Sequence, residues 1–100
     1  MDYKINEVYT FRLNSGEEVV AKVLNIENNL ITIHDPLSVA PGPQGLGLIP
    51  SLFTADPKAA TVLNSNSVAI SALTDQAIKA KYIEATTGLT VPPSKKLILG

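Results

Sequence analysis

Between Val8 and Pro36 the chain reads VYTFRLNSGEEVVAKVLNIENNLITIHDP, three apolar runs separated by two short polar turns. No other stretch limits the fold as tightly. In the first run Tyr9, Phe11 and Leu13 alternate with Thr10, Arg12 and Asn14, the period of a half-buried strand. NSGE then makes a turn, with Gly16 suited to positive φ and Asn14 or Ser15 able to bond the turn backbone. The second run holds aliphatics on both faces, Val19, Ala21 and Val23 against Val20, Leu24 and Ile26. Such a strand is bent into a barrel or covered by a neighbour. After ENN a third strand begins, and Asp35-Pro36 is expected to end it, because proline restrains its predecessor and cannot donate to a ladder.

The rest of the chain is more punctuated. LSVAPGPQG reads as a loop, and LGLIPSLFT as a fourth strand that Pro50 places at an edge or bulge. ADPKAATVLNSNS reads as a second loop with a short extended piece at Thr61 to Leu63. The expected strands therefore cover about 8–14, 18–26, 30–35, 46–54 and 67–73. A helix over about 75–87 follows, capped by Thr74 or Asp75, striped by Ile78, Tyr82 and Ala85, and stopped by Gly88. In the tail, 90–100, Leu97, Ile98 and Leu99 are too apolar for a free terminus and call for a sheet edge or a neighbouring subunit.

With 100 residues the chain reads as one domain, 1–100, with a single modest core. Eight Lys and Arg against nine Asp and Glu leave it near neutral, and the cations are spread from Lys4 to Lys96. The broad basic footprint of a DNA-binding domain is missing. There are no cysteines, hence no disulfides or thiolate metal sites. No apolar run reaches the roughly 20 residues of a spanning helix, and MDYKINEVY lacks the features of a secretion signal. The chain is expected in the cytoplasm, that of the host if it is phage-encoded, with no membrane partner.

Catalytic readings find little to build on. His34 is the only histidine and sits at a strand end beside Asp35. Glu17 with Glu18, and Asp56 with Lys58, read as solvated turn charges. GPQGLGLIP lacks the flanking elements and the Gly-Lys-Ser/Thr ending of a phosphate loop. Tyr9 near Arg12, and Phe53 near Lys58, read as packing aromatics instead of base-stacking ones. The expectation is a non-enzymatic protein with no cofactor and no metal site.

Laid out in this way, VYTFRLNSGEEVVAKVLNIE resembles the first conserved motif of the Sm-like (LSm) family. Gly16 stands at the turn glycine, Ala21 at the small residue, Val23 or Leu24 at the aliphatic, and Ile26 with Glu27 at the apolar-acidic pair. ENN takes the place of the family's RNA-contacting turn, without its stacking or basic residue. LNSNS takes the place of the second motif, without its charge. Short phage-encoded Sm-like proteins, with a GLGLIP...FTADP fourth strand and a C-terminal helix, are similar to the whole chain.

The resemblance implies a mainly β fold, a small, strongly bent five-stranded barrel with a C-terminal helix. It also implies a homo-oligomeric ring of about five to seven copies. Single-stranded RNA would lie at the pore on Glu27, Asn28, Asn29, Asn64, Ser65 and Asn66. Subunits would meet through Leu48, Ile49, Leu52, Val68 and Ile70. The competing reading is a ring-shaped protein-interaction or assembly element, for example of a phage, with little or no RNA binding.

Overall fold

The structure is a computed structural model and describes residues 2–87. In chain order it contains β1 (Val8–Leu13), β2 (Glu18–Glu27), β3 (Leu30–Gly42), β4 (Gly45–Pro50), β5 (Thr61–Asn64), a 3-10 turn (Ser65–Ser67), β6 (Val68–Leu73) and α1 (Gln76–Thr87). The tail at 90–100 lies outside the described residues.

All pairings are antiparallel and form one six-stranded sheet with the order β4-β3-β2-β1-β6. The thirteen-residue β3 lies along β2 on one side. On its other side its first part, Leu30 to Ile33, pairs with β5, and its second, Leu37 to Gly42, pairs with β4. The hairpin turns follow local chemistry. Gly16 has φ +97°, a value that glycine adopts at little steric cost, and its N–H donates to the Leu13 carbonyl at 2.8 Å.

Proline at position 36 does not end the third strand. Asp35 takes φ 53°, and the register moves from Val20 opposite Leu37 to Lys22 opposite His34. One extra residue is thus inserted into β3, a β-bulge. The bulge lets the chain pass Pro36, whose carbonyl accepts from Ser51 N–H at 3.1 Å. The expected loop over LSVAPGPQG is instead the second half of β3 and its hairpin into β4, and β4 closes at Pro50 instead of running to Thr54.

The bulge also reverses the alternation. Before it, Ile31 and Ile33 join Tyr9, Phe11, Ala21 and Val23 in one buried cluster. After it, Leu37 turns to the opposite face and packs with Val8, Val20 and Tyr82. Tyr3 covers part of the first cluster, its ring edge-on to Tyr9 at 4.9 Å between centroids. α1 covers the second with Ile78, Tyr82 and Ala85. Two buried faces explain why β2 carries aliphatics on both sides.

The expectation of a small, strongly bent five-stranded Sm-like barrel is corrected here. Among the described residues the hydrogen-bonded path has two ends, at β4 and β6, and β5 pairs with β3 alone. Closure would require β6 to pair with β4 or β5, and among the described residues β6 pairs with β1 alone. The protein is a mixed α/β fold, an open antiparallel sheet with one C-terminal helix. Without a closed barrel, the Sm-like resemblance does not hold.

α1 is fixed at its N-terminal end. The Asp75 carboxylate accepts from the N–H groups of Ala77 at 3.0 Å and Ile78 at 3.3 Å, satisfying donors that the first turn leaves open. The buried Thr74 hydroxyl meets that of Thr10 at 3.0 Å, and Lys79 pairs with Glu7 at 2.8 Å. These contacts tie the helix to β1.

Candidate functional site: the open edges of the sheet

The expected polar residues do come together. Asn28, in the left-handed region with φ 55°, and Asn29 form the β2–β3 turn beyond Glu27. Leu30 stands opposite Asn64, and Ser65 N–H donates to the Asn29 carbonyl at 2.8 Å. Asn64 caps the 3-10 turn by accepting from Asn66 N–H at 2.9 Å, and Asn14 donates to the Asn66 carbonyl at 2.8 Å. The side-chain amides of Asn14 and Asn64 therefore hold turn backbone at one end of the sheet, and Asn29 and Asn66 take part through their main chain. They line no pore, because an open sheet does not provide the barrel on which the ring reading rested. The RNA-binding ring and the ring-shaped assembly element are both set aside for that reason; Glu27 and Asn64 end β2 and β5, Asn28 and Asn29 form the turn between β2 and β3, and Ser65 and Asn66 lie in the 3-10 turn.

The residues expected at a subunit interface lie in different places. Leu48 is half-buried against the Val8 cluster, while Ile49 on β4 is exposed. Leu52 falls beyond β4 in the following loop. Val68 packs on the Tyr9 cluster, and Ile70 on β6 is 62% exposed. Leu73, which was not among the expected contacts, is 61% exposed. The edge strands β4, β5 and β6 all lie between Pro36 and Thr74, where the only charged residues are Asp56 and Lys58, both in the β4–β5 loop. Natural edge strands are commonly guarded by charge, proline, brevity or bulges. β4 contains Pro50 and two glycines, and β5 has only four residues. β6, VAISAL, has no charge, proline or glycine, and its one irregularity is a bulge at Ala69, after which Ile70 to Leu73 pair regularly with β1.

Other polar groups are accounted for by one another. The His34 Nδ1 lies 2.9 Å from the Asp35 carboxylate at the bulge. Ser38 donates to the Glu17 carboxylate, so the 2.9 Å contact between Ser38 and Ser51 has Ser51 as donor. This chain of bonds ties the start of β2 to β3 and the end of β4. Among the described residues no group of three or more His, Asp or Glu is placed to hold a metal ion. No described helix is long and apolar enough to cross a membrane.

The chain matches no protein-family model and no curated relative. Sequence comparison therefore adds no family to the fold class, and the edge chemistry must carry the functional argument.

Proposed function

We propose that this is a non-catalytic self-association domain that lends the outer edge of β6 to β6 of a second copy. The observation that carries the reading is the uncharged, proline-free stretch of that strand beyond its bulge at Ala69. Six residues at the end of the hydrogen-bonded path carry no charge and expose Ile70 and Leu73. Strand addition supplies backbone hydrogen bonds, and alternate side chains supply specificity. An antiparallel β6–β6 contact is isologous, so it closes as a two-fold dimer. A near-neutral chain, with 8 basic against 9 acidic residues, opposes such pairing little.

Light scattering at micromolar concentration is expected to give twice the chain mass for the native protein. Ile70→Lys is expected to return it to the chain mass with the circular dichroism spectrum retained. Monomeric native protein would overturn the reading. Val62→Lys on β5 serves as the matched control and should leave the dimer intact.

A further inference from the structure

β4 ends the sheet opposite β6, and among the described residues no strand pairs with its outer side. The direction of its backbone groups follows from one bond. Ser51 N–H donates to the Pro36 carbonyl at 3.1 Å, one step beyond the register that sets Leu37 opposite Pro50 and Ser38 opposite Ile49. Bonded and non-bonded positions alternate along an antiparallel ladder. Ile49 and Gly47 therefore bond to β3 as Ser51 does, whereas Leu46, Leu48 and Pro50 turn their backbone groups outward. Proline has no N–H to offer. At position 50 the outer edge thus lacks a donor, and the ring stands in the path of an incoming strand.

The edge is otherwise suited to a second copy. No charged residue lies between Pro36 and Ala55, Leu46 is 50% exposed and Ile49 is 42% exposed. An edge of this composition, left open, templates pairing with another chain. In an antiparallel contact centred on Leu48, Pro50 of each copy would stand opposite the partner's Leu46, so the bond would be missing twice.

We propose that Pro50 is the gatekeeper of this edge: it confines self-association to β6 and so stops the assembly at two copies. The limit of two rests on the β6 dimer proposed above, whereas the closure of β4 does not. With β4 open as well, each chain would pair on both sides and dimers would join into a longer sheet.

Pro50→Val restores the outward N–H and removes no bond to β3, because the position faces away from that strand. Light scattering of this variant is expected to give masses above twice the chain mass that rise with concentration, and a mass unchanged from the native protein would overturn the proposal. Gly47→Val is the control. It raises strand propensity at a position facing β3, where a Cβ meets the Ala40 carbonyl at an ordinary 3.6 Å, and it should leave the mass unaltered. Growth equal to that of Pro50→Val would assign the limit to propensity instead of the missing donor, and would also overturn the proposal.

Pro50→Val combined with Ile70→Lys separates the two readings. This chain is expected to pair through β4 alone, at twice the chain mass. Chain mass here overturns the gatekeeper role and leaves the β6 dimer standing. Twice the chain mass here, with the native protein at chain mass, overturns the β6 dimer and leaves Pro50 as the guard of β4.

Discussion

The Tyr82 hydroxyl donates to the His34 carbonyl at 2.7 Å, at the point where the bulge interrupts the β2–β3 ladder. The same oxygen accepts from Lys22 N–H at 3.1 Å, and Lys22 stands opposite His34 in the register. A phenol from the helix therefore stands between two backbone groups of paired residues. The helix is in this way part of the sheet's hydrogen bonding as well as its cover.

Tyr82→Phe keeps the ring and removes both bonds. Two backbone groups lose their partner, so a loss of about 1–3 kcal/mol is expected, measured by urea denaturation. A variant as stable as the native chain would show that the ring alone seats the helix.

The same tyrosine dictates the alkaline behaviour. Burial disfavours its phenolate and holds the pKa above the ordinary 10.0, more than offsetting the Lys22 N–H bond that favours ionisation. Because the folded pKa lies above the unfolded one, this contribution is intact below about pH 10 and is lost as pH rises beyond it, where only the unfolded chain readily ionises. Stability measured from pH 8 to 11 should fall above pH 10 in the native chain, with a shallower fall in Tyr82→Phe.

Acid acts through the Glu7–Lys79 pair. The Lys79 hydrogen bond, with the Val8 N–H and the Lys79 charge, holds the Glu7 carboxyl below its ordinary value. Its contribution is present above the unfolded value and is lost as pH falls through the depressed folded one. Titration followed by carboxyl chemical shift should show Glu7 moving back toward the ordinary range in Lys79→Met. An unmoved titration in that variant would mean the pair is not formed in solution.

Gly16→Ala isolates backbone strain. A Cβ at Gly16 meets nothing within 4 Å, so sterics with neighbours are excluded as a cause. The positive φ alone predicts a loss of about 1–2 kcal/mol, read as a lower denaturation midpoint with unchanged slope.

Local features of the fold are written locally. Alternation around Tyr9 and Phe11, a glycine in NSGE, and a capping Asp75 ahead of Ile78 and Tyr82 each act within a few residues, and periodicity exposes them. The bulge was not legible, because Asp35-Pro36 has the same chemistry whether it ends a strand or bends it. Only pairing with β2 on one side and β4 on the other carries β3 past it. Barrel closure is not legible for a related reason. Aliphatics on both faces of β2 suit a closed barrel equally well as an open sheet covered by Tyr82 and Ile78. The Asn64 cap on Asn66 N–H is local, but the bonds from Asn14 to the Asn66 carbonyl and from Ser65 N–H to the Asn29 carbonyl join turns far apart in sequence.

The pairing of Tyr9 with Leu73 joins positions 64 residues apart. During synthesis the β1–β2–β3 meander can form as soon as it emerges, while β1 must wait for nearly the whole described chain before it gains its outer neighbour. Long-range pairing of this kind is slow and leaves strands exposed meanwhile. The uncharged run from Thr61 to Leu73 is thus the last to find its place and the least protected while it waits. Overproduced chains should be lost there first, and a slower rate of synthesis should raise the soluble yield more than a change in buffer charge.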